Sequence, residues 1–464
     1  MKRTTLALIA ALVLAVSAGA QNYHALYNDL PIALEEPDLP SIPDLTVSIC
    51  SYGASGDGVT LCTEAFDRAI KDISKRGGGH IIIPSGIWLT GPIKLRSSID
   101  LHLETGAIIV FTPDKRAYFD GEVQGRARPC ISADKCTDIS ITGDGIIDGN
   151  GKYWRYAKRE KLSDAEWKEL KALGGTELQD GKLWFPSGLK HFEDLTDSPE
   201  KEESIRQHMM IFKRCTRLLI SGVTVQNSPK FHINPSQCTD VILDGVSVKC
   251  PWNAQNGDGI DIGNCQRVLV TRCRVDVGDD GICMKGGSGE KGLQAGACSD
   301  ILICRNTVFR AHGGFVMGSD ISGGMKRIVV QDCSFSGTDI GLRFKSAPGR
   351  GGHCGDIWIR RISMNGIRDA AISYSCDYSD ITYKAGAKVE GVEFAPDFAG
   401  MDIREVICRE CPVGIVAKGI PGLNCIHDIV ISGSHFFYTG KGTEIDDSTA
   451  SITLKDTKFT TYEQ

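Results

Sequence analysis

A short phrase that begins with cysteine recurs along most of the chain and constrains its fold more than any other feature. Each copy has a cysteine, one or two polar residues and then alternating aliphatic residues. The copies start at Cys136, Cys215, Cys238, Cys265, Cys298 and Cys354. A further phrase without the cysteine starts at Met325, so that successive phrases between residues 215 and 354 start 23 to 33 residues apart. Within them, short strands rich in Val and Ile alternate with Gly or Asn turns. A period in this range is typical of solenoids.

The repeat predicts an all-β fold, a parallel β-helix with several strands per coil. An array of immunoglobulin-like sandwiches is the alternative, but it gives no reason for the same cysteine phrase at the start of each unit. Residues that recur in register are expected to stack on neighbouring strands about 4.8 Å apart, where their Cβ vectors run side by side. That geometry is poor for disulfides, so most of the 18 cysteines are expected to be buried thiols. A bridge around Cys408 and Cys411 remains possible.

The N-terminus has the pattern of a cleavable signal peptide over residues 1–20. Lys2 and Arg3 precede an apolar run, and Ala18-Gly19-Ala20 forms a small-residue cleavage site. A membrane anchor would need a longer apolar run. We therefore expect an exported protein, periplasmic or extracellular, with an extended segment at 21–45 and a single β-helix domain at 46–464.

Two segments depart from the repeat. Thr63 to Arg76 predicts a capping helix for the open N-terminal end, with Thr63 as the N-cap and the three glycines from Gly77 as the terminator. The strands are expected to begin after this helix, at His80. An insertion at about 153–203 contains a predicted helix, Ser163 to Leu173, and four aromatic residues that are candidate platforms for sugar rings: Trp154, Trp167, Trp184 and Phe185. A flap without a role in binding is the other interpretation.

The net charge of −6 and the isoelectric point near 6.0 give no basic footprint. The composition therefore disfavours a nucleic-acid partner. No segment after the signal peptide is apolar enough to span a bilayer. We expect a monomer.

Four polar clusters interrupt the aliphatic strands. They are Asn256-Gly257-Asp258, Gly278-Asp279-Asp280, His312-Gly313-Gly314 and Arg343-Phe344-Lys345. Asp258, Asp280, His312 and Arg343 are 22, 32 and 31 residues apart in turn, which is about one coil per step. Stacking should therefore bring three carboxylates, an imidazole and two cations to one face.

Clustered carboxylates repel one another as anions, so one of them tends to keep its proton while the others stay ionised. Hydrolysis of a glycosidic bond needs such an acid and such a base, with carboxyl groups roughly 6.5 to 9.5 Å apart if a water must lie between them. Arg343 and Lys345 point to the same side of a strand, where they can hold a sugar carboxylate. Three carboxylates also suit calcium, but the neighbouring histidine and cations argue against a metal.

At these clusters the chain resembles glycoside hydrolase family 28, the polygalacturonases, and within it bacterial exo-type members. The four clusters match the family's Asn-Thr-Asp, Gly-Asp-Asp, Gly-His-Gly and Arg-Ile-Lys motifs, and the resemblance extends from Ser51 to near residue 435. It implies a right-handed β-helix and inverting hydrolysis of galacturonosyl bonds without metal or other cofactor. It implies Asp279 as general acid, Asp258 and Asp280 as activators of water, and His312 as a support for the acid. The implied substrate-binding residues are Asn256, Lys285, Arg343, Lys345 and Arg350.

The chain departs from the family pattern at Gly257, Ala311, Phe344 and Asn234, where Thr, Gly, Ile and His are usual. The insertion favours exo-action on pectin, because a wall at one end of a groove admits only chain ends. Endo-polygalacturonase and rhamnogalacturonan hydrolase are the alternatives within the family. A β-helix polysaccharide lyase and a non-enzymatic glycan-binding protein are the alternatives outside it.

Overall fold

A computed structural model of the chain describes residues 23–123, 125–189, 194–378 and 393–463, which form a right-handed parallel β-helix. The predicted signal peptide, residues 1–20, lies outside the described residues. Among the described residues, no helix is both long enough and apolar enough to cross a membrane.

The first coils and their capping helix precede the insertion. Their elements are β1 (Thr46–Ser48), α1 (Thr63–Lys75), β2 (Gly79–Ile83), β3 (Gly86–Thr90), β4 (Ile93–Lys94), β5 (Ile99–Leu103), β6 (Ala107–Phe111), β7 (Ile131–Asp134), β8 (Thr137–Gly143) and β9 (Ile146–Asp148). The insertion adds β10 (Ala157–Lys158), α2 (Asp164–Ala172), β11 (Gly174–Leu178), β12 (Leu183–Leu189) and α3 (Pro199–Ile205). Short 3-10 helices cover Tyr23–Leu26, Ile49–Tyr52, Lys115–Tyr118, Gly151–Tyr153 and Arg159–Lys161.

The remaining coils carry the candidate site. Their elements are β13 (Met210–Lys213), β14 (Thr216–Ser221), β15 (Thr224–Gln226), β16 (Ile233–Ser236), β17 (Thr239–Asp244), β18 (Ser247–Lys249), β19 (Ile260–Gly263), β20 (Gln266–Thr271), β21 (Arg274–Asp276), β22 (Asp280–Lys285), α4 (Gly289–Ala295), β23 (Cys298–Cys304), β24 (Thr307–Val308), β25 (Gly313–Met317), β26 (Met325–Ser336), β27 (Ile340–Lys345), β28 (His353–Asn365), β29 (Ala370–Ser375), β30 (Asp397–Lys418), β31 (Ile426–Ser432), β32 (His435–Ile445), β33 (Ala450–Lys455) and β34 (Lys458–Thr461).

Successive coils pair in parallel and form three sheets that run the length of the molecule. One of them, which we call the groove sheet, stacks β4, β7, β13, β16, β19, β22, β25, β27 and β29. Coil length varies in the turns, whereas the pairing within the groove sheet keeps its register. Residues one coil apart therefore face the same way, as the repeat predicts.

Inward-facing aliphatic side chains fill the coils, and most cysteines of the repeated phrase stack among them. Cys215, Cys238, Cys265, Cys298 and Cys354 are buried, and Cys136 is partly buried. All 18 cysteines are free thiols, including Cys408 and Cys411. The expectation of stacked thiols in place of a disulfide framework is confirmed.

Helix α1 covers the N-terminal end of the core with the apolar face that the sequence predicts. Phe66, Ala69, Ile70 and Ile73 are buried, and the helix ends at the glycines after Arg76. The predicted cap at Thr63 is wrong, because Cys62 is the N-cap residue and the Thr63 hydroxyl accepts a hydrogen bond from the Gly91 backbone N–H at 2.6 Å. The first strand is β1, before the helix, so the expected start at His80 is also wrong.

The insertion folds on its own small core. Its helix α2 begins after Ser163, which forms a capping box with Glu166, so the predicted helix is confirmed. Strands β10, β12 and β11 form an antiparallel sheet separate from the coils. The four predicted aromatic residues are buried rather than displayed to a ligand. Trp154 packs in the core of the coils, and Trp167, Trp184 and Phe185 are buried within the insertion, since an excursion this long must bury apolar side chains to hold its shape.

Opposite charges alternate along the outside of the β8–β28 sheet. Asp138, Arg217, Asp240, Arg267, Asp300, Arg327 and Asp356 occupy equivalent positions on successive coils, each with positive φ. Arg217, Arg267 and Arg327 donate to Asp138, Asp240 and Asp300 at 2.7 to 2.9 Å. We call this row the charge ladder.

The segment before β1, residues 23–45, lies along the charge ladder as a strap. Its backbone N–H groups donate to every second rung: Ser41 to Asp138 at 2.9 Å, Asp38 to Asp240 at 3.3 Å and Glu35 to Asp300 at 3.4 Å. Three extended residues span about 10 Å, as do two coils, which explains the matched spacing. The apolar side chains of the strap pack on an outward-facing apolar strip that includes Ile242, Leu269, Leu302 and Val329.

We expect Asp240→Asn to loosen the strap and destabilise the β-helix. Asp240 is 2% exposed and holds both Arg267 and the Asp38 backbone, so the substitution removes the buried anion of Arg267 and leaves it only the exposed Glu35, at 3.4 Å. A lost hydrogen bond to a charged group costs about 1.5 to 3 kcal/mol. The free energy of unfolding in urea should fall by that amount. Asp356→Asn, at an exposed rung that the strap does not reach, is the matched control, and equal effects of the two variants would contradict the role of the strap.

Candidate active site

Asp258, Asp279 and Asp280 lie together on the groove sheet, just before strand β19 and at the start of β22. The Gly259 N–H donates to the Asp280 carbonyl at 2.9 Å, which sets the two coils in register. One carboxylate oxygen from each aspartate lies within 4.8 Å of the others. The structure thus brings the trio together, as the coil spacing predicts. These nearest oxygens lie closer together than the 6.5 to 9.5 Å expected between carboxyl groups that hold a water between them.

His312 comes from the next coil and contacts Asp279. Its backbone N–H donates to the Asp279 carbonyl at 2.8 Å, and its Nδ1 lies 3.1 Å from Asp279 Oδ1. Its Nε2 faces Lys161 Nζ at 3.4 Å and Asp339 Oδ2 at 3.9 Å. The imidazole therefore connects the carboxylate trio to the insertion.

Arg343 and Lys345 project from β27 onto Asp280. Lys345 Nζ donates to Asp280 Oδ2 at 2.7 Å, and Arg343 Nη1 lies 3.4 Å from Asp280 Oδ1. Asp280 is 1% exposed, so both of its oxygens are held by cations away from water. The two cations that the sequence predicts as binders of a sugar carboxylate already hold a carboxylate of the protein.

Lys285 lies beneath the trio and shares its charge among three carboxylates. Its Nζ is 3.5 Å from Asp261, 3.8 Å from Asp258 and 3.9 Å from Asp280, and it donates to the Gly318 carbonyl at 3.0 Å. Asp261 was not predicted. It is fully buried, and neither of its oxygens accepts a hydrogen bond among the described residues. The only sequence signal for it is a charged residue inside the aliphatic strand Ile260–Gly263.

The environments of the carboxylates separate their pKa values. Burial, then Asp261 and Asp279, raise the pKa of Asp258 well above its usual range. Burial also raises the pKa of Asp261, to about 7, against the opposing pull of Lys285. For Asp280, burial is outweighed by Lys345, Lys285 and Arg343, which lower its pKa. The pKa of Asp279 is lowered too, because the bond to His312 outweighs burial.

Within the trio of the ligand-free protein, Asp258 therefore holds a proton most strongly and Asp280 most weakly. The expectation that one clustered carboxyl keeps its proton fits this distribution. The resemblance places that proton on Asp279 during catalysis, so the ligand-free state differs from the state that reacts.

Asn256 is positioned by a buried arginine that sequence reasoning missed. Arg206 follows helix α3 and donates to Asn256 Oδ1 at 2.9 Å, and to the carbonyls of Pro229 and Gln255 at 2.8 and 3.1 Å. Arg206 is 1% exposed and pairs with Glu203. No pattern in the sequence distinguishes it from a surface arginine.

Arg350 lies beside a tyrosine that was also not predicted. Arg350 donates to the Tyr378 carbonyl, and the Tyr378 ring is 39% exposed. The cationic groups of Lys345, Arg343 and Arg350 lie 5.0, 5.5 and 5.8 Å from the ring centre. Tyr378 thus groups all three cations at one end of the site.

Local packing explains two departures from the family motifs. A Cβ on Gly257 would lie 3.1 Å from the Ala254 Cβ and 3.3 Å from the Ala254 carbonyl oxygen, too close for a threonine without a shift of that loop. Phe344 points into the core, where it stacks on Tyr374 at 4.3 Å. Ala311 is buried, and the Asn234 amide donates to the Asp261 carbonyl at 2.9 Å. None of these positions supplies a titrating group.

Comparisons with known proteins agree with the fold and the site. The model of the family described as glycosyl hydrolases family 28 matches residues 181–396, which include the trio, His312, Arg343 and Lys345. A probable polygalacturonase of Vitis vinifera is 26% identical over 81% of this chain and 71% of its own length. An exo-poly-alpha-D-galacturonosidase of Dickeya chrysanthemi is 28% identical over 72% of this chain, which spans 57% of that protein.

The solved structure of an exopolygalacturonase from Thermotoga maritima superposes with a TM-score of 0.75 at 27% identity, and the match covers 92% of this chain and 94% of that one. The family match includes the four clusters, and the likeness in structure extends over nearly the whole chain. In sequence and in structure, this chain is similar to members of glycoside hydrolase family 28, the polygalacturonase family.

Proposed function

We propose that this protein hydrolyses α-1,4-galacturonosyl bonds of pectin at chain ends, with inversion at the anomeric carbon. The observation that carries the proposal is the convergence of three carboxylates with Arg343 and Lys345 on one face of the groove sheet. The carboxylates supply an acid and a base, and the cations recognise a uronate. The names of the Dickeya and Thermotoga relatives support the same activity.

The substrate carboxylate competes with Asp280 for the two cations. An ammonium has three donors and a guanidinium five, so Lys345 and Arg343 can bind a galacturonate while they still contact Asp280. The arriving anion draws positive charge away from the trio and adds negative charge beside Asp279. Both effects raise the pKa of Asp279.

This redistribution moves the proton from Asp258 to Asp279. One carboxylate oxygen of Asp258 lies within 4.8 Å of one carboxylate oxygen of Asp279. Asp279 then protonates the leaving oxygen as the glycosidic bond breaks. The water that attacks the anomeric carbon gives its proton to Asp258, so the site returns to its starting state. His312, 3.1 Å from Asp279, holds the acid toward the leaving group.

The close spacing of the trio places the water on one side of it. With oxygens within 4.8 Å, a water does not fit on a line between acid and base. Asp258 and Asp280 instead hold it together, as the resemblance implies, and both are ionised once Asp279 takes the proton. Lys345 also occupies a position that a bound cation would need at Asp280, which favours hydrolysis over a calcium-dependent lyase.

The insertion supports exo-action through its contacts rather than through exposed aromatic rings. Arg206 anchors Asn256, and Lys161 reaches His312, so the insertion borders the groove at two points. A groove closed on one side accepts the end of a chain. Export through residues 1–20 and a monomeric state are parts of the same proposal, since pectin lies outside the cell.

We expect Asp279→Asn to lower kcat by about 10²- to 10⁴-fold, because an amide cannot protonate the leaving oxygen. Reducing-end release from polygalacturonate measures the loss. Asp276→Asn, an exposed change on the same coil outside the groove sheet, should leave the rate unchanged. A glycan-binding protein without catalysis would show the same rate for both variants and the wild type.

We expect Lys345→Met to move the acid limb of the pH profile of kcat/KM to higher pH. The limb reports protonation of Asp280, whose lowered pKa depends on Lys345. Loss of an adjacent cation raises a carboxyl pKa, by roughly one to three units. The alkaline limb, which reports loss of the proton that Asp258 holds in the free protein, should stay above the ordinary range of an aspartate. An acid limb that does not move would contradict the role of Lys345.

We expect the products of polygalacturonate digestion to be of one small size, with only a slow fall in viscosity. A groove closed by the insertion releases units from chain ends. New reducing ends should therefore accumulate while most chains keep nearly their full length and the viscosity stays high. A rapid fall in viscosity with mixed oligomers would indicate endo-action instead.

The same digest distinguishes hydrolysis from elimination. Inversion gives a β-anomeric product in the first minutes by proton NMR. A lyase would need calcium and would give unsaturated products that absorb in the ultraviolet. Digestion of rhamnogalacturonan in parallel tests for a rhamnogalacturonan hydrolase, which would cleave that polymer in preference to polygalacturonate.

A further inference from the structure

Two coils on the N-terminal side of Asp258 continue the groove sheet with aromatic and basic residues. The register pairs Met210 with Ile233 and Ile233 with Ile260. His208 and Phe231 therefore stand two and one coils before Asp258 in the same column. The Met209 N–H donates to the Phe231 carbonyl, and the His232 N–H donates to the Asp258 carbonyl, which holds this alignment.

Phe231 and His208 form a partly exposed aromatic surface. Their ring centres are 4.2 Å apart, and the backbone N–H of Phe231 donates a hydrogen bond to His208 Nδ1 at 3.3 Å. Lys285 Nζ, beneath the trio, is 5.5 Å from the centre of the Phe231 ring. Aromatic faces of this kind pack against the apolar face of a sugar ring.

Positive charge surrounds this surface. The pKa of His208 is lowered to about 3, so its imidazole is neutral. Burial is the largest cause, followed by the positive charges of Lys230, Arg126, Arg206 and Lys285. Glu203 neutralises Arg206, and Asp258, Asp261 and Asp280 surround Lys285.

Lys230 and Arg126 have no ion pair within 4.0 Å among residues 23–123, 125–189, 194–378 and 393–463. Lys230 lies one residue before Phe231 and is half-buried, and both Glu203 and Asp258 act on its charge. An unpaired cation that is partly withdrawn from water is suited to bind an anion from a ligand.

We propose that Phe231, His208 and Lys230 form a second uronate-binding site, which holds the galacturonate on the opposite side of the scissile bond from Arg343 and Lys345. The sugar ring lies on the aromatic surface, and its carboxylate pairs with Lys230, with Arg126 at the rim. The assignment rests on the proposed function, because Arg343 and Lys345 mark the leaving side. The enzyme then requires a carboxylate on both sides of the bond and rejects alternating rhamnose–galacturonate chains.

The test uses trigalacturonate and the same trisaccharide with the carboxyl of its non-reducing unit reduced to an alcohol. The wild type should cleave the reduced sugar with at least a tenfold lower kcat/KM, since one charge-assisted hydrogen bond corresponds to about that factor or more. Lys230→Met should lose roughly tenfold on trigalacturonate, mainly through KM, and nothing on the reduced sugar. Lys230→Arg should restore the preference, and Phe231→Ala should weaken cleavage of both sugars.

Lys326→Met, an exposed change on β26 in another sheet, is the matched control and should behave as the wild type. Thermal unfolding of each variant checks that the fold is kept. Equal losses for Lys230→Met on both trisaccharides, or no loss on either, would overturn the second site.

Binding separates this site from the proposed function. Calorimetry with the Asp279→Asn protein measures the Kd of trigalacturonate without turnover. A tenfold weaker Kd when Lys230→Met is added supports the site even if the wild type hydrolyses neither trisaccharide, in which case the proposed function alone fails. An unchanged Kd rejects the site whatever the activity.

Discussion

Backbone hydrogen bonds between coils hold the active site together, and every functional contact depends on their register. The bonds from Gly259 to Asp280 and from His312 to Asp279 join residues that are 21 and 33 positions apart in the chain. Because coil length varies in the turns, the groove sheet brings groups from four coils within 4.8 Å of a neighbouring group. A shift of one residue in any of these coils would turn its aspartate or cation to the other face of the sheet.

The same register concentrates charge that the protein must balance. Asp258, Asp261, Asp279 and Asp280 face Lys285, Lys345 and Arg343, so four carboxyls share three cations close by. Burial makes an uncompensated anion costly, and the surplus carboxyl is neutralised by a proton. A raised pKa favours that proton on Asp258 in the ligand-free site, and in the mechanism we propose the substrate carboxylate shifts it to Asp279.

The periodic part of this arrangement could be predicted, because the spacing of Asp258, Asp280, His312 and Arg343 equals the coil length. Groups outside the repeated strands could not be predicted, because nothing in the repeat fixes the path of the chain between strands. These groups are Arg206, Lys161 and Tyr378. The aromatic residues of the insertion were misread for a related reason. An exposed ring and a buried ring have the same sequence signature, and the insertion needed a core. Thr63 does not cap helix α1, because its hydroxyl accepts a hydrogen bond from the backbone N–H of Gly91, 28 residues away.

The small core of the insertion matters for the site that it borders. Trp167, Trp184 and Phe185 are buried, and the ring of Phe185 stacks on Tyr156 at 5.1 Å. The Arg206 guanidinium lies 5.8 Å from the Tyr156 ring centre before it reaches Asn256. A packed excursion holds Arg206 and Lys161 at fixed positions, whereas a loose flap would lose that order each time a chain entered. Preorganisation of this kind lowers the entropic cost of positioning a bound ligand, so under the function that we propose the buried rings would assist catalysis without touching the substrate.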